Sequence, residues 1–514
     1  MLFRQFFDPK LAQYAYLVGC QRSGEALLVD PERDIDQYVD AARAEGLEIV
    51  AVAETHIHAD FLSGAREFLE RHGTKVYLSD EGGPDWASDW ARDAGEGVVF
   101  LKDGDTFSVG GIEVRALHTP GHTPEHLTFA VTDRGGGAST PMGVFTGDFV
   151  FVGDLGRPDL LEQAAGLHGV QEPSARELFQ SLSRFTELED HLQVWPAHGA
   201  GSTCGKALGA VPQTTVGYEK RYNASLAAAD GGEDAFVGAI LDGQPEPQTY
   251  FARMKRDNNK GVPLLGELPR PRELSPDEVA AALEGGGGDG PEPLVVDTRA
   301  DRSAFMAAHL PGSLSAPLNR SFNAAVGSLV ADETTPLILV VEPGRVEEAV
   351  RDLVRIGFDR IPAFLTPETL EAHVEAGGQV ASIPETDFDE LRRRREAGEA
   401  LKVVDVRFRS EFDGGHIPGA ISASYTRLPS YQEERLPESG PLWVHCGTGG
   451  RAAAASSFLA GQGLEVRFVN DAFARYREAG GEVATGEQEG SPDGAPEAAG
   501  DQGRAQAAPA AGGA

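Results

Sequence analysis

Cysteine is scarce in this chain: three residues in 514, Cys20, Cys204 and Cys446. That number excludes a disulfide framework and fits a reducing, cytoplasmic setting. No run of about 18 apolar residues occurs, so no membrane-spanning helix is expected. The opening stretch, Met1-Leu2-Phe3-Arg4-Gln5-Phe6-Phe7-Asp8, lacks the long apolar core and small-residue cleavage site of a secretory signal. Positive charge is also short. Lys and Arg number 45 against 80 Asp and Glu, a formal net charge of −35, which argues against nucleic acid or anionic lipid as partners held by bulk electrostatics. What is present suffices for packed cores: 41% of residues are hydrophobic, and a chain of this length is expected to form about two to four domains.

Short apolar runs alternate with turn signals and helical stretches. Tyr14–Cys20 and Ala26–Asp30 flank Gln21-Arg22-Ser23-Gly24-Glu25 as a hairpin. Ile35–Glu45 reads as an amphipathic helix. Strands are expected at Ile49–Ala53, Lys75–Leu78, Val98–Leu101, Ile112–His118, His126–Val131 and Gly143–Thr146. Strands with helices before and after them predict a layered α/β fold with helices on both outer faces.

Between the Ile49 strand and the helix that follows it stands Glu54-Thr55-His56-Ile57-His58-Ala59-Asp60-Phe61-Leu62-Ser63-Gly64. Two imidazoles and a carboxylate on one short loop suit a first-row divalent metal. Alone such a loop is equally a polar surface turn. Three later insertions change its meaning: Gly121-His122-Thr123, Thr146-Gly147-Asp148 and Pro196-Ala197-His198-Gly199 each lie beside an apolar run.

In this order the four motifs resemble the ligand set of the metallo-β-lactamase superfamily, over about the first 270 residues. The resemblance implies two face-to-face sheets between helical layers, with the metal at one sheet edge. Members with two metals carry a histidine directly after the motif aspartate; here Phe61 takes that place. The resemblance then leaves His56, His122 and Asp148 for one metal, with His58 beside them as a ligand or as a group that orients one. Asp60 and His198 are expected to hold ligands or waters in place, or to be what remains of a second metal site. His118, His126 and Cys20 are expected to be structural, and Cys204 a small buried thiol. Two histidines and one carboxylate with open positions form the pattern of non-haem Fe(II) oxygenases. The persulfide dioxygenase branch of the superfamily is similar, and Phe151-Val152-Gly153-Asp154-Leu155-Gly156-Arg157-Pro158-Asp159 adds to that likeness. By the same analogy Arg157 meets a substrate carboxylate or forms a local ion pair, and Tyr218 lines a glutathione pocket or simply faces solvent.

The second half repeats. Leu294-Val295-Val296-Asp297-Thr298-Arg299 with His309-Leu310-Pro311-Gly312 recurs as Lys402-Val403-Val404-Asp405-Val406-Arg407 with His416-Ile417-Pro418-Gly419. Each copy continues into a buried strand and a helix, a parallel α/β unit. The two copies resemble rhodanese domains. In the second, Cys446-Gly447-Thr448-Gly449-Gly450-Arg451 separates strand from helix. Its glycines let backbone N–H groups turn inward as a nest that favours a thiolate and anionic sulfur. The length of this loop is that of sulfurtransferases. The first copy has Glu342-Pro343-Gly344-Arg345 there and no thiol, so it is expected to be catalytically silent.

The expected organisation is therefore a metallo-β-lactamase αββα sandwich at 1–268, a rhodanese-like parallel-sheet domain without an active-site cysteine at 269–380, a rhodanese domain with Cys446 and Arg451 at 381–482, and a disordered Gly/Ala/Pro-rich tail at 483–514. The resemblances imply oxidation of a low-molecular-weight persulfide, glutathione persulfide foremost, by O2 to sulfite at one Fe(II) per chain. Sulfur transfer through Cys446, with sulfite or thiosulfate as exchange partners, accompanies it. The alternative is a thioester hydrolase of the hydroxyacylglutathione type using zinc. Self-association into a homo-oligomer is compatible with either.

Overall fold

The computed structural model describes residues 1–92, 94–160, 162, 169–283, 291–437 and 440–486. The expected flexible loop at 285–290 and the expected tail from 487 onward lie outside them. The tail was expected to start at 483, but the chain is still paired there. Ala484 and His416 exchange two backbone hydrogen bonds of 2.9 Å, and the Gly486 N–H reaches the Asp413 carbonyl. Backbone pairing holds this segment although its composition reads as tail.

Two six-stranded sheets form the first half. One runs in the order β1 (Leu2–Asp8), β2 (Gln13–Cys20), β3 (Glu25–Val29), β4 (Glu48–Ala53), β5 (Lys75–Ser79), β6 (Val98–Leu101). It is antiparallel through β3 and parallel from β3 to β6. The other contains β7 (Thr106–Val109), β8 (Ile112–His118), β9 (Leu127–Asp133), β10 (Gly143–Gly147), β11 (Gln193–Pro196) and β12 (Thr214–Thr215), in the order 12-11-10-9-8-7. The expected hairpin is β2–β3, and the expected helix runs over Asp36–Ala44. Strand β1 was not read from the sequence. Its residues alternate only weakly between partly buried and exposed, so they give little period-2 signal.

Alternation along the strands sorts side chains into three apolar layers. Tyr16, Leu27 and Ala53 of the first sheet meet Val114, Phe129 and Phe145 of the second between the sheets. Leu17, Leu28 and Val52 face outward against Tyr38 and Phe68 of two helices. Val144 and Val194 pack on Leu178 and Phe185 of the helix Gln171–Thr186. The result is the expected helix–sheet–sheet–helix sandwich.

Two five-stranded, all-parallel sheets follow. One has β13 (Arg272–Glu273), β14 (Leu294–Asp297), β15 (Leu314–Ser315), β16 (Leu337–Val340) and β17 (Ala363–Leu365), in the order 13-17-16-14-15. The next has β18 (Glu385–Thr386), β19 (Lys402–Asp405), β20 (Ile421–Ser422), β21 (Leu442–His445) and β22 (Val466–Val469), in the order 18-22-21-19-20. The strand orders are the same, and so are details. Asp297 pairs with Arg299 as Asp405 does with Arg407. His309 and His416 each stack on a phenylalanine four residues earlier and bond its carbonyl at 2.8 and 2.9 Å. One apolar core joins Phe61, Leu62 and Met254 of the first half to Phe358 and Leu353, and continues to Val444 and Cys446.

Candidate functional site

The sandwich delivers its polar residues to one end: His56, His58 and Asp60 on the loop after β4, His122 between β8 and β9, Asp148 directly after β10, and His198 after β11. Glycines explain two of the motifs. Gly121 has φ +138°, and a Cβ there would lie 2.4 Å from the Leu178 Cβ; Gly147 has φ +49°, and a Cβ there would lie 2.6 Å from both Thr55 Oγ1 and His126 Nε2. Any larger residue would move His122 or Asp148 off its position.

His56, His122 and Asp148 offer donor atoms that all lie within 4.8 Å of one another. The Asp148 Oδ2 is 3.3 Å from His122 Nε2 and 3.8 Å from His56 Nε2. The hydrogen bonds fix the tautomers. Thr55 gives its one hydroxyl proton to Asp30 (2.9 Å), so its oxygen accepts from His56 Nδ1–H (2.9 Å). His122 Nδ1 faces the Arg157 carbonyl at 3.0 Å and must donate to it. Both Nε2 lone pairs are thereby turned toward Asp148. The Asp148 backbone N–H donates to His126 Nε2 (3.1 Å), which fixes the chain at Asp148 and gives His126 a supporting place.

Lone pairs facing a buried carboxylate repel unless a cation lies between them. Both Asp148 oxygens are buried and lack a hydrogen-bond partner, a condition native interiors avoid. Burial pushes Asp148 up to about 6 and His122 down to about 3, and holds His56 well below its ordinary value. Neutral imidazoles beside an under-satisfied carboxylate fit a divalent metal.

His58 turns away from this set. Its Nε2 is 3.1 Å from Glu54 Oε2 and 3.3 Å from Asp30 Oδ1, and its ring lies on Phe61. Burial opposes its charge, but the two carboxylates outweigh it and raise His58 well above its ordinary value. With Asp30 and Glu54 it forms a further buried donor set whose atoms lie within 4.8 Å of one another. Asp60 and His198 come together with Cys204 as a second buried set within 4.8 Å. His198 Nδ1 bonds the Ala12 carbonyl, which leaves Nε2 3.5 Å from both Asp60 Oδ2 and Asp148 Oδ1. Burial, with Asp148 and Asp60 nearby, raises the Cys204 thiol well above its usual value. Cys204 thus stands closer to the centre than its sequence suggests. Its only local signal is a place six residues after His198.

Arg157 is fully buried, doubly bonded to Asp159 and bonded to the Thr203 carbonyl. Its guanidinium is used by the local ion pair, and its carbonyl serves His122. Tyr218 is half exposed on the helix Val216–Tyr222 and packs on Tyr222. Three supporting residues were not singled out in the sequence. Glu125 accepts the Ile57 N–H (2.9 Å). Asn258 holds the carbonyls of His58 and Phe61 and the Ser63 N–H, the last from 195 positions away. Thr55 has the role described above.

At the other end of the chain Cys446 is buried after β21, and the Gly449 N–H reaches its Sγ at 3.1 Å. Gly449, at φ +94°, opens the helix Gly450–Gly461. Arg451 makes a double ion pair with Glu411, 2.5 and 2.8 Å, rather than pointing free.

A sandwich with its donors at one end defines the chain's class: it belongs to the metallo-beta-lactamase superfamily, which residues 8–198 match, and it carries a rhodanese-like domain matched by residues 387–479. A solved metallo-beta-lactamase from Staphylococcus aureus subsp. aureus COL is 36% identical with a TM-score of 0.62, covering 71% of this chain and 99% of that one. The bovine mitochondrial persulfide dioxygenase ETHE1 is 29% identical over 38% of this chain and 68% of its own. A hydroxyacylglutathione hydrolase from Gloeobacter violaceus is 32% identical over 36% of this chain and 63% of its own.

Proposed function

We propose that the N-terminal sandwich, spanning about 1–268, oxidises a low-molecular-weight persulfide, glutathione persulfide foremost, and that the Cys446 unit exchanges sulfane sulfur. One persulfide, one O2 and one water give one thiol and one sulfite. The observation that carries this reading is the His56–His122–Asp148 set: two neutral imidazoles and one carboxylate, the donor pattern of mononuclear Fe(II) oxygenases. The likeness to bovine persulfide dioxygenase supports it. An Fe(II) held there would supply the redox chemistry that O2 requires. The chain's own residues do the rest. Thr55 and the Arg157 carbonyl keep two Nε2 atoms free of protons, and His126 holds the Asp148 backbone N–H.

One observation favours a second reading. Phe61 removes the histidine of a two-metal centre, yet Asp60, His198 and Cys204 still form a three-donor set beside Asp148. A two-metal thioester hydrolase of the hydroxyacylglutathione type, with zinc, would use it. Oxygen uptake by anaerobically iron-loaded protein on adding glutathione persulfide, with sulfite and metal per chain assayed together, separates the two. Uptake with matching sulfite at one iron per chain is expected. Two metals per chain, no uptake and hydrolysis of a glutathione thioester would replace the first reading by the second.

A further inference from the structure

The cysteine-less unit reaches into the Cys446 loop. Arg302 opens the helix Arg302–Ala307 in that unit, and its Nε donates to Asn470 Oδ1 of the next unit at 2.5 Å. Asn470 is itself held by Ser303 and Glu385, so the arginine is aimed rather than loose. Its guanidinium carbon and Nη2 lie 3.0 and 3.1 Å from where a Cβ of Gly449 would stand, and Gly449 is the residue whose N–H touches the Cys446 Sγ. Arg451, the cation expected to serve this loop, is already paired with Glu411, and the nearby repeat arginine Arg407 with Asp405. Among the described residues Arg302 shows no partner for either terminal nitrogen.

We propose that Arg302 binds the oxyanion end of the sulfur substrate at Cys446, so that the unit without a thiol completes the site of the unit that has one. This rests on the reading of Cys446 as a sulfur carrier. The ligand class is a small sulfur oxyanion, with thiosulfate as donor and sulfite as acceptor. A dianion approaching a chain of net charge −35 needs a local cation, and a guanidinium offers planar paired donors to such oxygens. In the transfer step the Cys446 thiolate attacks the sulfane sulfur of thiosulfate. A Cys446–sulfur bond forms, the bond to the sulfonate sulfur breaks, and its electron pair departs with sulfite. Run backward, the sulfite lone pair takes the outer sulfur and the thiolate returns, and neither direction needs an oxidant. Arg302 would hold the departing or arriving sulfonate oxygens.

The test is anaerobic loading of Cys446 in the full chain, read as the gain of one sulfur on its peptide, from thiosulfate and from an alkyl persulfide, which carries no sulfonate oxygens. Arg302→Ala should slow loading from thiosulfate roughly tenfold to hundredfold, the scale of one hydrogen bond to a charged group. Loading from the alkyl persulfide should stay within about threefold of the unmodified chain, and Arg302→Lys should fall between. Equal loss from both donors, or no loss from thiosulfate, would overturn the assignment. An unmodified chain that Cys446 loads from neither donor would overturn the carrier reading, and this proposal with it, a signature unlike selective failure.

Discussion

A carboxylate that is to hold a cation must first lose its proton, and at Asp148 that step is set by burial. Its carboxyl is pushed up to about 6, while the His56 and His122 imidazoles are held below their ordinary range and stay neutral. The sign follows. Above about pH 6 Asp148 is ionised and nothing competes with the metal. Below it each pH unit adds a proton to displace, and metal affinity should fall about tenfold per unit. Chelator competition for iron, followed from about pH 5 to about pH 8, checks this; an affinity that stays flat across that range would remove Asp148 from the ligand set. That His56, His122 and Asp148 come together was legible because each sits in a short motif beside an apolar run, and backbone constraints explain the glycines. What the motifs could not tell was direction. His58 shares its loop with His56 but faces Glu54, four residues earlier, and Asp30, and Asp30 arrives from the end of another strand that no local pattern links to it. Asn258 and Cys204 were invisible as partners for the same reason: they are brought in by the fold.

At the scale of elements, the helix Val346–Arg355 follows the loop Glu342–Arg345 and docks onto the sandwich. Arg355 is buried against Asp8, Glu32 and Asp34 at 2.5–3.1 Å, and its carbonyl takes the Leu62 N–H of the metal loop at 2.8 Å. Arg351 pairs with Asp34 and Asp36, and Lys10 with Asp352. Asp8 and Glu32 of the sandwich thus depend on one cation from the neighbouring unit, and Asp34 on two. Arg355→Met keeps the volume and removes the charge, leaving buried carboxylates uncompensated, so a loss of about 3–5 kcal/mol is expected. Denaturant titration measures it, and a change under about 1 kcal/mol would show that the network contributes little. The repeat itself was readable, down to paired Asp–Arg and Phe–His contacts. The docking role of this helix was not, since a Glu/Arg-rich surface pattern looks the same whether it faces water or another unit.

For the whole molecule, the question is whether the two chemistries are one machine or two tenants of one chain. A continuous apolar core runs from Phe61 beside the metal loop to Cys446, so the units are held in fixed relation, and Arg302 gives a second physical link between neighbours. Yet no residue of the His56–His122–Asp148 set touches the Cys446 loop, and each site keeps its own supporting shell: Thr55, His126 and Arg157 in one, Gly449 and Glu411 in the other. Rigid joining without shared groups implies independent chemistry. Cys446→Ser, a change of one atom inside a packed loop, should abolish thiosulfate-dependent sulfur transfer and leave oxygen uptake with added glutathione persulfide within about twofold, as expected for distant sites that share no partners. Stopped-flow oxygen consumption and a sulfur-transfer assay on the same preparation decide it. If oxygen uptake falls with the transfer activity, the persulfide consumed at the sandwich is delivered by Cys446, and the fixed geometry of the core exists to carry sulfur rather than merely to hold the units together.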